Sequence, residues 1–421
     1  MRRRRHPAPL RPRARSCTRR GGEVTRPLPG RLRPPVRRRP DRRGRRAGRG
    51  DTRAAHADLA SPAPTRVPAR HARRARVAGR TAPAPAGLGV AGGAHVTVRL
   101  IATGGTISSH HDGRGWTELA GSELVAELVD DLDRAGVDVE VVDVAAGPSS
   151  HLSVDDMSAI AGHVRDAVAD GHGVVVTHGT DTIELTSFLA DLLLPAAADR
   201  PPVVFTGSMR VHSHPQPDGP RNLLDALVVA GDRAARGRGV LVCVDGLLHA
   251  AARVVKCDAG SLDAFSSAPL GPVGTVQGGT VIVHDDAPLA GPHATDLAPD
   301  VPLLTVYPGI DPSEVARTLD GRRGAVLEVF GDLNVPRTLW APIHEAWRAG
   351  TLVVLASRPF TGTTRSEGLD LLGAVGAGGL TAQKARLATM AALGGGAGRD
   401  DAIEFLHARR LVRPHDERSS A

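Results

Sequence analysis

From residue 96 onward, short β-branched runs alternate with stretches of helical period, and that alternation admits few architectures. Residues 96–102, 137–144, 173–177, 203–206 and 240–244 read as strands, with 96–102 and 173–177 reading as buried ones. Between them lie helical patterns. Leu124, Val125, Leu128, Val129 and Leu132 give residues 122–135 one apolar face. Ser153 with Asp156 three residues on reads as the cap of a helix reaching residue 169. Further helices are expected behind residue 182 and at 220–230. Strand, helix, strand at this spacing predicts a mostly parallel sheet with helices on both faces. Residues 246–286 break the rhythm, and the glycines of 274–283 suggest a hairpin. Residues 303–307, 325–329 and 352–356 then read as strands of a second, smaller α/β unit, with helices near 313–319, 337–349, 382–393 and 400–408. The expected fold is a larger amino-terminal α/β domain (96–290), a Pro/Ala/Asp-rich linker (291–301) and a smaller α/β carboxyl-terminal domain (302–412), with a tail at 413–421.

Charge separates the first 95 residues from the rest. They hold 27 of the 53 Lys and Arg but 4 of the 45 Asp and Glu, a net of +23 against −15 for the remainder. Rich in Arg, Pro, Ala and Gly, this segment has too little apolar surface to offset ordering entropy, so a disordered tail is expected. A stretch ahead of the true start codon is a second reading, and a basic arm for nucleic acid or an anionic surface a third. The acidic body argues against nucleic acid as its partner. Three cysteines make no disulfide framework, which suits a reducing, cytoplasmic compartment. No apolar run approaches the ~20 residues that span a bilayer, and 82–96 is too rich in Gly and Pro for a signal segment.

Three segments carry candidate chemistry. The first strand ends in Gly104-Gly105-Thr106, a break that glycine makes cheaply because its backbone tolerates positive φ. It places Thr106 at a strand's carboxyl end, where open α/β sheets hold ligands. His178-Gly-Thr-Asp-Thr182 puts Thr180 and Asp181 at a helix start, where free amides can stabilise an oxyanion. Arg253-Val-Val-Lys-Cys257 supplies Lys256. A threonine hydroxyl needs a base or strong acceptor to become a nucleophile. Taken singly, Thr106 and Asp181 would be ordinary caps and Lys256 a solvated charge. Yet Lys256 and Lys384 are the only lysines, among 53 Lys and Arg. A lysine that persists where arginine is used elsewhere points to an ammonium able to lose its proton.

Together these motifs resemble the bacterial-type L-asparaginase family, including its asparaginase/glutaminase members. The resemblance spans roughly residues 96–412. It rests on Ala102-Thr-Gly-Gly-Thr-Ile107, Thr177-His-Gly-Thr-Asp-Thr182, Gly207-Ser-Met-Arg210 with Asp218-Gly-Pro-Arg-Asn222, Arg253-Val-Val-Lys256 and Gln383-Lys-Ala-Arg386. It implies hydrolysis of L-asparagine to L-aspartate and ammonia, with L-glutamine as a side substrate. Thr106 is implied as the nucleophile forming an acyl-enzyme, Thr180 as the second threonine, Lys256 as the lysine that tunes it, Asp181 as the carboxylate for the substrate α-ammonium, and Ser149 as the contact for its α-carboxylate. Asn334 and Glu367 fall where a neighbouring subunit's small domain closes the site, implying a homodimer or homotetramer. No metal or cofactor is implied.

Two departures matter. The family often has a tyrosine in the loop after the nucleophile. Here Trp116 stands near that place, and an indole N–H donates but cannot accept a proton. Ser150 sits where a glutamine is common in the family's periplasmic members, and the resemblance then implies weaker contacts to the substrate's charged ends. Cys257 as a low-pKa thiol, and His110-His111-Asp112 or His212 and His214 as metal ligands, are weaker readings. Gly104-Gly105 lacks the third glycine of a dinucleotide fingerprint. The rival functions are the glutaminase subunit of a tRNA-dependent amidotransferase and a non-catalytic amino-acid sensor.

Overall fold

A computed structural model describes residues 95–144, 147–284, 292–359 and 368–411. The tails expected at 1–95 and 413–421, apart from His95, lie outside the described residues, as does Glu367.

The larger sheet is built from β1 (Val96–Ala102), β4 (Val137–Asp143), β5 (Gly173–Thr177), β6 (Val203–Thr206), β7 (Val240–Val244), β8 (Leu247–Ala250), β11 (Gly274–Gln277) and β12 (Thr280–Val283). Two short pairs lie outside it: β2 (Ser109–His111) with β3 (Trp116–Glu118), and β9 (Val255–Lys256) with β10 (Phe265–Ser266). The sheet runs β12-β11-β8-β7-β6-β5-β1-β4. β4, β1, β5, β6 and β7 are parallel, while β8, β11 and β12 each pair antiparallel to the strand before. Numbered along the chain, the five parallel strands stand in the order 2-1-3-4-5, so the order reverses between β1 and β5. That reversal opens a crevice at the strands' carboxyl ends.

Both faces of the central strands β5, β6 and β7 are covered, which is why they read as unbroken apolar runs; Val174, Val175 and Val176 are all fully buried. Helices α3 (Val154–Ala169) and α4 (Ile183–Leu193) cover one face, and α5 (Gly219–Gly231) with α1 (Gly121–Ala126) and α2 (Val129–Ala135) the other. Residues 122–135 thus form two short helices and not one. Leu124, Leu128 and Leu132 stay buried through the break, so apolar spacing predicted the buried stripe but not the continuity of the hydrogen-bond ladder. Ser153 caps α3 with the reciprocal Asp156 bond.

The smaller sheet contains β13 (Leu303–Thr305), β14 (Gly324–Val329), β15 (Leu352–Ser357) and β16 (Val375–Gly376), all parallel and in chain order. Its helices are α6 (Pro312–Leu319), α7 (Trp340–Arg348), the short α8 (Leu369–Leu372), α9 (Ala382–Ala392) and α10 (Arg399–Ala408). Helix α9 packs against α4 of the large domain as well as β14 and β15, so one apolar cluster runs through both domains. Among the described residues no helix is long and apolar enough to cross a membrane.

A buried ion pair joins the two domains. Arg409 donates to the Asp191 carboxylate on α4 at 2.6 Å and, through Nε, to the Pro292 carbonyl at 2.7 Å. The other Asp191 oxygen accepts the Val240 amide at 2.8 Å, and Arg200, also buried, lies within its field. Asp191→Ala would leave two buried guanidinium groups without their anion. A stability loss of about 3–5 kcal/mol is expected in denaturant titration; a loss below about 1 kcal/mol would show that the pair contributes little.

Candidate active site

The carboxyl ends of β1 and β5 deliver two polar loops to the switch point. The first turns through Gly104 (φ +86°) and Gly105 (φ +96°) to Thr106. The second, residues 178–182, leads into α4 with Thr182 as its N-cap. The loops touch backbone to backbone: a Cβ on Gly105 would lie 2.7 Å from the Gly179 nitrogen and 2.8 Å from its Cα. Thr106 and Thr180 each follow one of those glycines, at the same end of the sheet. Thr103 reinforces the junction, its hydroxyl donating to the Thr177 carbonyl at 2.7 Å.

Thr180 is buried and Thr106 half-buried. The Lys256 ammonium donates to Thr180 Oγ1 at 2.9 Å and to Asp181 Oδ1 at 2.9 Å. An ammonium has no acceptor, so Thr180 accepts from Lys256 and its own O–H is free to point elsewhere. Lys256 and Asp181 thus form an ion pair beside the Thr180 hydroxyl.

Ser149 is buried, and its hydroxyl packs on Gly179, where a Cβ would lie 2.5 Å away. Its carbonyl accepts the Thr182 hydroxyl at 2.8 Å. Ser149 thus belongs to the same group, whereas Ser150 is exposed in the next position of a short turn. Asn334 is exposed in the small domain, just beyond β14, with its side-chain amide donating to the Gly331 carbonyl at 2.7 Å.

The Gly207–Arg210 and Asp218–Asn222 motifs act as a scaffold. Asp218 accepts the Met209 and Arg210 amides, each at 2.9 Å, and Asn222 donates to the Gly207 carbonyl at 3.0 Å. Gly207 lies against the Thr180 loop, where its Cβ would meet the His178 carbonyl at 2.5 Å. His178 itself is a neutral prop. Burial lowers its imidazole to about 4, and Nδ1 donates to the Gly179 carbonyl at 2.8 Å.

Trp116 is 66% exposed on β3 with its ring edge-on to His111. It stacks on the hairpin that it belongs to. Glu118, two residues on and on the same face, brings its carboxylate over Gly104, with Oε1 3.2 Å from where a Cβ would stand. Opposite it, the Ser109 hydroxyl donates to the Gly105 carbonyl at 3.0 Å, so this face of the hairpin looks at the loop of residues 104–106. Glu184 is the other carboxylate that sequence reasoning missed. It is largely buried on α4 and accepts the Lys256 backbone amide at 2.6 Å. A glutamate in the first turn of an apolar helix reads as a solvated charge, and only its position under Lys256 distinguishes it.

Cys257 is not an activated thiol: partial burial and the Glu184 charge push it above its ordinary value. Among the described residues no three His, Cys, Asp or Glu side chains converge as metal ligands.

The molecule is a two-domain α/β protein of the mostly parallel-sheet class, with a polar cluster at the switch point where such sheets hold ligands. Residues 97–289 match the amino-terminal asparaginase domain and residues 300–405 the glutaminase/asparaginase carboxyl-terminal domain. A probable L-asparaginase of Deinococcus radiodurans is 36% identical over 72% of this chain and 94% of its own length. L-asparaginase 2 of Escherichia coli is 31% identical over 70% of this chain and 88% of its own. In structure, a probable cytoplasmic L-asparaginase from Campylobacter jejuni superposes with a TM-score of 0.65 at 27% identity, covering 74% of this chain and 99% of that one. The chain belongs to the L-asparaginase family.

Proposed function

We propose that the chain hydrolyses L-asparagine to L-aspartate and ammonia, with L-glutamine as a side substrate. The observation that carries this reading is the Lys256 ammonium within 2.9 Å of both Thr180 Oγ1 and Asp181 Oδ1, on a loop packed against Gly105. Ser149 and Asp181 hold the α-carboxylate and α-ammonium, which orients the side-chain amide toward Thr106. The Thr106 oxygen attacks the amide carbon and the C–N bond breaks. The Thr106 proton leaves with the nitrogen as ammonia, and water then cleaves the resulting ester to regenerate the hydroxyl. Thr180, with its oxygen occupied by Lys256, offers its hydrogen to the developing oxyanion.

Trp116 cannot take the Thr106 proton, and Glu118 is the carboxylate beside that loop, so we assign it as the acceptor that relays the proton to the departing nitrogen. Asn334 and Glu367 of a neighbouring subunit close the site, in a homodimer or homotetramer.

An ammonia-release assay with asparagine and glutamine tests the reading, alongside native mass measurement. Glu118→Gln in the same assay is expected to lower kcat about 10²-fold, in the range of a lost general base, with KM little changed. Binding of asparagine without ammonia release from the wild type would identify a sensor instead. Glutaminase activity that appears only with a partner subunit and tRNA would identify an amidotransferase.

A further inference from the structure

The catalytic assignments leave Lys384 unused, yet it is the most deeply placed cation described. It lies on α9 of the small domain with no solvent exposure. Its ammonium crosses into the large domain and donates to the carbonyls of Ala251 (2.7 Å), Ala252 (3.4 Å) and Val254. Those carbonyls belong to the turn between β8 and β9, which is closed by the Arg253 and Val254 amides donating to Ala250 at 2.8 and 3.0 Å. Lys256 stands two residues beyond this turn. The ammonium also lies 5.8 Å from the centre of the Phe188 ring.

Glu184 completes the arrangement. Burial raises its carboxyl, while Lys384 and Lys256 oppose that shift; burial lowers the Lys384 ammonium to about 8, against the pull of Glu184. Helix α4, which carries Glu184, begins immediately after Thr180, Asp181 and Thr182. One buried anion and one buried cation therefore grip both backbone segments that form the Lys256–Thr180 contact. Three carbonyls converging on one point suit a compact head with three donors, and a planar guanidinium fork does not match them. That accounts for a second lysine in a chain whose other basic side chains outside Lys256 are arginines.

We infer that Lys384 is a positioning residue of the active centre, holding the turn at residues 251–254 so that Lys256 meets Thr180 and Asp181. The inference rests on the function proposed above and has a readout independent of it. Lys384→Met is compared with Leu387→Ala, a core truncation on the same helix that removes none of the hydrogen bonds to the Ala251, Ala252 and Val254 carbonyls. Folded Lys384→Met is expected to lose about 10²-fold in kcat, the scale of a 1 Å misplacement, with KM changed less than about threefold. Amide exchange at residues 253–257 is expected to quicken at least about tenfold while that of 173–177 holds, and Leu387→Ala should show neither effect. If Lys384→Met does not fold, Lys384→Gln, which keeps two donors for the turn, takes its place with the same readouts. Unchanged exchange at 253–257, or equal kcat losses in the lysine and leucine variants, would overturn the inference. Wild-type protein that releases no ammonia would sink the proposed function instead, and the exchange comparison would still decide the role of Lys384.

Discussion

Thr106→Ala is expected to abolish ammonia release, with kcat falling by about 10³-fold or more, while the protein stays folded. Thr106 itself contributes little to stability. Its side chain is half-exposed, and its backbone carbonyl, which accepts the Ser109 amide at 3.2 Å, survives the substitution. Removing a methyl and a hydroxyl from such a position changes folding by about 0.5 kcal/mol or less. The chemistry has no substitute for it. In the proposed reaction the covalent bond forms at this oxygen alone, since Thr180 already accepts from Lys256 and is placed to donate. Asparagine binding, measured by calorimetry, should persist because Ser149 and Asp181 remain. Normal turnover by a pure Thr106→Ala protein with an unchanged melting temperature would falsify the threonine mechanism.

Gly105→Ala is the second large effect expected, and its cause is steric. The added Cβ would stand 2.7 Å from the Gly179 nitrogen and 3.1 Å from the His178 carbonyl carbon. These are backbone atoms with no rotamer to yield, so the two loops must part. The φ of +96° is also unfavourable for any residue with a Cβ. A separation of about 1 Å between Thr106 and Thr180 is enough to cost about 10²-fold in kcat, and the clash with strain should cost about 2–4 kcal/mol of stability. Gly113→Ala isolates the conformational part, because Gly113 has φ +87° but nothing within 4 Å of its Cβ position. Denaturation curves and kcat for the two variants separate the causes. Equal, small effects in both would mean that the close approach of the loops is not what keeps the site assembled.

Much of the architecture was legible because it is local. The valines of β5 and β7 announce strands buried on both faces, and Ser153 with Asp156 announces a helix start, each within a few residues. The hairpin at 274–283 was legible from its glycines. Thr180, Asp181 and Lys256 stand out in their motifs, and the structure brings these three into contact. What sequence reasoning missed were carboxylates of ordinary appearance. Glu118 and Glu184 carry no local signal, and their significance comes from what lies across from them. Trp116, which stands near the place of the family's loop tyrosine, lies edge-on to His111, its cross-strand partner.

The chain by itself determined which segments are strands and helices, since apolar periodicity is a property of neighbouring residues. It also supplied the Gly104-Gly105-Thr106 and His178–Thr182 motifs, which are written in consecutive letters. Only the tertiary structure decided which groups meet. The reversal of strand order beside β1 sets Thr106 against the β5 loop, and α9 of the small domain sends Lys384 beneath Lys256. Those placements follow from pairings between residues far apart in the chain, selected by burial of whole faces, and no short window of sequence contains them.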